Sequence, residues 1–312
     1  MKKRVLAAMM ACAMAAGLLS GCSSEPKNPG DSNEPVTTAA AGQTEVGDAT
    51  AAAQEESGPK IFHDYMTTDV DTINPHIYTM SVSGDVIART SLQLYRQYPN
   101  AEGTSFEYFP ELAEKEPEKA DEEGKVWRIK IRENAKWENG DAIDVDDVIY
   151  SFKMCLDPLM VNSRASQLAS DYITITKASD YSLQGNAGTV AWEDVGIKKA
   201  DDYTLELQLD APVTEEDIKA HFNYVWTCLV HEPTYEACMS EDRSTNTYGS
   251  TREKYMSCGA FILDQWIAGS QFDMKKNPDF VLGDKIKLDG YNYKIVGDRN
   301  TALELYLNGE LD

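Results

Sequence analysis

Residues 125–158 carry the pattern that narrows the fold most. Trp127, Ile129 and Ile131 alternate with Arg128, Lys130 and Arg132, which predicts a strand with one buried face. Gly140 then marks a turn. Asp144 is placed to cap a helix, and Asp146 and Asp147 put negative charge at its positive end. Val145, Val148, Ile149, Phe152 and Leu156 follow at helical spacing, and Pro158 stops the run. A half-buried strand followed by an amphipathic helix predicts a mixed α/β core.

The same texture continues downstream. Leu205, Leu207 and Leu209 alternate with Glu206 and Gln208 after a turn at Asp201-Asp202. Thr214 opens a second helix, with Glu215, Glu216 and Asp217 in its first turn and Ile218, Phe222 and Val225 behind. Asn300 is expected to cap a helix through Leu307, with Gly309 as its stop. Trp127 and Trp137 read as core aromatics. At 312 residues the chain has room for about two domains.

The amino-terminal residues set the compartment. Lys2, Lys3 and Arg4 precede an apolar run from Val5 to Leu19, the layout of a secretory signal. That run is short for a membrane span, which needs about 20 apolar residues. Leu19-Ser20-Gly21-Cys22 resembles the bacterial lipoprotein box, which implies a signal over residues 1–21 and a diacylglycerol on Cys22. An ordinary secretory signal with a chance cysteine is the alternative. Residues 23–58 contain no aromatic residue and no Leu, Ile or Met, so residues 22–58 read as a lipidated Cys22 followed by a disordered acidic tether. Residues 59–312 form the folded part. The expected location is the extracytoplasmic face of the cell membrane, held in the bilayer through acylated Cys22, on a Gram-positive surface or the periplasmic side.

Charge and motif searches exclude several functions. With 52 Asp and Glu against 29 Lys and Arg, the net charge is −23, which argues against nucleic acid as a partner. No GxSxG, SxxK, Walker or GxGxxG motif occurs. His231-Glu232 begins an HExxH, but Pro233 is expected to break the helix and Tyr235 stands where the second His belongs. The four histidines, His63, His76, His221 and His231, are scattered and nominate no metal site. Cys155, Cys228, Cys238 and Cys258 read as free, partly buried thiols, with a Cys228–Cys238 bridge as the alternative.

Further signatures fall in order along the chain. They are Ile73-Asn74-Pro75-His76, Pro110-Glu111-Leu112-Ala113-Glu114, the 125–158 stretch, and Ala200-Asp201-Asp202-Tyr203-Thr204-Leu205-Glu206. Gly259-Ala260-Phe261 with Trp266 and Lys276-Asn277-Pro278 comes next, then Gly309-Glu310-Leu311-Asp312. Together they resemble the family-5 extracellular solute-binding proteins of ABC importers, which include oligopeptide- and dipeptide-binding proteins. Asn74 replaces the usual Asp, Ala260 the common Pro, and Phe280 begins a departure at an aromatic pair.

The resemblance implies an α/β, periplasmic-binding-protein-like two-lobed clamp, here the first lobe with its extra small domain and without most of the second lobe. It implies a lipoprotein that captures oligopeptides or similar solutes by lobe closure and delivers them to an ABC permease, with no cofactor and no catalysis. Relatives also carry nickel chelates and oligosaccharides, so another solute is an alternative, as is a structural remnant and, lower again, a secreted hydrolase. The sequence stops where the family enters its second lobe, so an N-terminal fragment or truncated gene product that binds peptide weakly or not at all by itself is expected. Thr79, Met80, Ser81 and Val82 align with a first-lobe strand that meets the ligand backbone. Read from the residues alone, they are a plain edge or loop segment. Arg164 falls where peptide-binding relatives place an aromatic contact, and an Arg there favours an acidic group on the ligand.

Overall fold

The computed structural model describes residues 58–312. The signal segment 1–21, Cys22 and residues 23–57 of the tether lie outside the described residues. In chain order the elements are β1 (Ile61–Met66), α1 (Ser81–Thr90), β2 (Tyr95–Pro99), β3 (Phe106–Pro110), β4 (Glu118–Lys119) and β5 (Val126–Lys130). There follow α2 (Val145–Cys155), α3 (Ala165–Ser170), α4 (Ala178–Leu183), β6 (Ile197–Asp201), β7 (Thr204–Gln208), α5 (Glu215–His221) and α6 (Glu232–Ala237). The last are β8 (Phe261–Ile267), β9 (Gln271–Lys276), β10 (Gly290–Ile295) and α7 (Arg299–Leu307).

The strand and helix read from residues 125–158 form as expected, because their signals are local. β5 pairs antiparallel with β7, setting Trp127 opposite Leu207 and Ile129 opposite Leu205 in a sheet ordered β4-β5-β7-β6. Their buried side chains build the first core with Trp137, Val148, Phe152 and Phe222. Asp144 caps α2 through a reciprocal box: its carboxylate accepts from Asp146 N at 2.8 Å, and Asp147 Oδ2 accepts from Asp144 N at 3.0 Å.

A second core lies between α1 and a sheet ordered β1-β10-β9-β8. β1 runs parallel to β10 and the other pairs are antiparallel. Val86 and Ile87 of α1 join the same buried cluster as Leu263, Phe272, Met274, Tyr291 and Tyr293. Helix α2 serves both cores, giving Phe152 and Cys155 to the first and Met154 to the second. β2 and β3 form a separate two-stranded ribbon. Its root is fixed by buried Tyr95 and by Arg96, which pairs with buried Glu111 at 2.5 Å.

Several local expectations need correction. Asp298, two residues before Asn300, caps α7 by accepting from Asn300 N and Thr301 N at 3.0 and 2.9 Å. A carboxylate already sits where the helix's first free N–H groups point, so Asn300 is drawn into the first turn. Gly309 does stop this end, with φ +74°. Thr214 caps α5 as expected, but Val225 lies in a separate 3₁₀ turn after Phe222 ends the helix. Pro233 does not break a helix: α6 begins at Glu232, and proline is tolerated in a first turn. All four cysteines of the described residues are free, with Cys155, Cys228 and Cys258 buried, so no Cys228–Cys238 bridge forms.

Candidate functional site

The segment leading into α1 is shaped by one carboxylate. Asp71 accepts from Thr72 N at 3.0 Å, Thr79 N at 2.8 Å, Thr79 Oγ1 at 2.6 Å and Ser83 Oγ at 2.5 Å. Partial burial works to raise its pKa, but these hydrogen bonds outweigh it and hold the carboxyl below its ordinary value. Inside the loop, Asn74 Oδ1 accepts from His76 N at 3.0 Å, and Asn74 O accepts from Tyr78 N at 3.2 Å. The side-chain contact needs only an acceptor oxygen, which Asn supplies, while Asn74 Nδ2 is buried without a hydrogen-bond partner among the described residues. Gly249 seals the back: its carbonyl accepts from Ile73 N, its φ is +71°, and a Cβ there would come within 2.5 Å of Asn74 N.

Thr79, Met80, Ser81 and Val82 are therefore not a strand, which corrects the sequence expectation. Asp71 gathers Thr79 and Ser83 to one point, a curl incompatible with a flat ladder. Met80 is the extended N-cap residue of α1 and Ser81 and Val82 are its first turn. Met80 has no side chain able to cap, and no acidic residue lies in the first turn. Among the described residues, Ser81 N and Val82 N donate to no acceptor. They form an accessible helix N-terminus whose positive dipole end and free donors suit an acceptor oxygen.

Arg164 is brought to this same place from the other side of the fold. After Pro158, Asn162 Nδ2 donates to Met154 O at 2.6 Å and Cys155 O at 3.1 Å, tying the loop to the last carbonyls of α2. Val161 beside it holds φ +49°, costly for a β-branched residue, and is 82 % exposed. The turn delivers Arg164 onto the Tyr78 ring, guanidinium carbon 4.4 Å from the centroid, with Nη2 donating to Tyr78 O at 3.0 Å. Arg164 Nε is buried with no partner among the described residues. Arg164 is thus held on Tyr78, the residue that precedes the 79–82 segment named from sequence. Sequence reading missed Asp71, Tyr78 and Asn162, which position them. The only local sign was Asp71 with Thr79 and Ser83 at eight and twelve residues.

Two histidines, His76 in this loop and His221 at the end of α5, are buried. The Tyr235 hydroxyl lies 3.2 Å from His76 Nδ1, and burial pushes His76 down to about 3. His221 Nε2 lies 3.1 Å from Leu168 O, and burial pushes it down to about 4. Among the described residues no three His, Cys, Asp or Glu side chains gather as a metal site would need.

Comparison with known proteins places this geometry. The sequence profile of the bacterial extracellular solute-binding proteins, family 5, middle region, matches residues 107–312, more than half of the chain. The chain belongs to this family. It is 27 % identical over 259 residues to the oligopeptide-binding protein OppA of Bacillus subtilis, spanning 83 % of this chain and 43 % of that protein. It is 30 % identical over 203 residues to the dipeptide-binding protein DppE of the same organism, spanning 65 % of this chain and 34 % of that protein. The structure of Listeria monocytogenes OppA bound to peptide superposes with a TM-score of 0.70 at 25 % identity, covering 82 % of this chain and 46 % of that one. This family-5 chain therefore spans less than half the length of these relatives, and its fold is part of a two-lobed clamp.

Proposed function

We propose that this chain is the solute-capturing part of an ABC importer's extracytoplasmic binding protein, a lipoprotein held in the bilayer through acylated Cys22. It takes oligopeptides or similar solutes, closes on them with an opposing lobe, and hands them to a membrane permease, without cofactor or turnover. The observation that carries this reading is the uncapped N-terminus of α1, with Arg164 held on the Tyr78 just before it, set in a family-5 fold.

The chemistry follows from the donors. Ser81 N and Val82 N point free hydrogens at whatever oxygen arrives, so main-chain carbonyls or a carboxylate bind without reading side chains. Arg164 adds a positive charge with its plane fixed by Tyr78, which favours solutes bearing an acidic group. Contacts made by both lobes exist only in the closed state, so ligand shifts the open–closed population towards closure.

Calorimetry with paired acidic and neutral peptides tests the Arg164 role. Arg164→Ala is expected to weaken binding of the acidic member about tenfold while changing the neutral member little. An unchanged preference removes Arg164 from the site.

A further inference from the structure

A cavity of about 480 Å³ lies between the β2–β3 ribbon and the segment following β9, and it shares no residue with the α1 site. Tyr98 and Phe109 form one wall, their rings 6.1 Å apart and both 40 % exposed. Phe280, buried, forms the opposite side with Leu282 and Ile286. The size falls in the range of small-molecule sites, and the apolar lining matches their usual composition.

One charge stands against this apolar surface. Lys285 is the sole ionic side chain lining the cavity, and it makes no ion pair among the described residues. The single charge in this apolar lining is positive, which favours an anionic head group over a cationic one.

We infer that this cavity binds a small amphipathic carboxylate, its apolar body between Tyr98, Phe109 and Phe280 and its carboxylate on Lys285. The inference is independent of the solute carried by the α1 site.

Calorimetric titration of the full chain with decanoate, and separately with decylamine, both below their micelle concentrations, tests it. Decanoate is expected to bind saturably at one site, and decylamine not to. Lys285→Glu is expected to weaken decanoate about fivefold, the scale of an exposed ion pair reversed in sign. Phe109→Ser removes apolar contact and is expected to weaken it about tenfold. Arg164→Ala should leave decanoate affinity unchanged. Lys285 is exposed, so its variant stays informative even where Phe109→Ser is poorly folded by circular dichroism. Absence of saturable decanoate binding, equal binding of decylamine, or affinity indifferent to Lys285→Glu overturns the inference.

Discussion

Trp137→Ala is expected to lower the unfolding free energy by about 4 kcal/mol in urea denaturation, the middle of the range for truncating a large buried aromatic. Trp137 is almost fully buried in the core that β5, β7 and α2 share. Its Nε1 donates to Asp147 Oδ1 at 3.1 Å, and its ring meets His231 edge-on at 5.0 Å. Truncation therefore opens a cavity and also takes a donor from a carboxylate that caps α2. Trp137→Phe separates the two effects, because it fills most of the volume but donates nothing. It is expected to cost about 1–2 kcal/mol. A loss below 1 kcal/mol for the alanine variant would mean that this tryptophan does not occupy the core.

The second large effect is acid destabilisation above the ordinary carboxylate range. His76 and His221 are buried and neutral, with pKa values pushed down to about 3 and about 4 from 6.5. The unfolded chain takes up these protons first, so stability is full above pH 6.5 and falls as pH drops below it. At pH 5 each imidazole costs about 2 kcal/mol relative to neutral pH. Asp147 opposes this. Burial raises it to about 6, so its carboxylate is held at a cost near neutrality that is relieved on acidification, by about 1–2 kcal/mol between pH 7 and pH 5. The expected net loss is about 2–3 kcal/mol over that interval. Urea midpoints from pH 7 to pH 5 measure it. His76→Gln should flatten the slope, and stability that is level or rising towards pH 5 would contradict the buried neutral histidines.

How far the sequence could be read depended on the range over which each feature is encoded. The 125–158 unit was legible because alternation, capping and the proline stop all lie within a few residues of what they control. The Gly309 stop and the Thr214 cap were legible for the same reason. Asn300 was misplaced because two good caps compete within three residues, and the earlier one wins. Pro233 was misread because a proline's effect depends on where a helix begins, and His231-Glu232 gave no start signal.

The site itself was only half legible. Residues 79–82 and Arg164 were reached through family resemblance, but as a strand and a separate cation. No capping residue announces α1 at Met80; the curl is imposed by Asp71, nine residues earlier. The contact of Arg164 with Tyr78 crosses 86 residues, and no local pattern encodes it. The cavity under the ribbon was illegible for a similar reason, since Phe109 and Phe280 meet only after two distant segments pack.

The most direct test of the central claim follows the backbone amide resonances of Ser81 and Val82 while the chain is titrated with trialanine to millimolar concentration. If α1's free N-terminus is where solute binds, both amides shift saturably, and the Arg164 side-chain resonance shifts with them at the same midpoint. Trialanine that shifts other resonances saturably while these three stay still would contradict the assignment of this site.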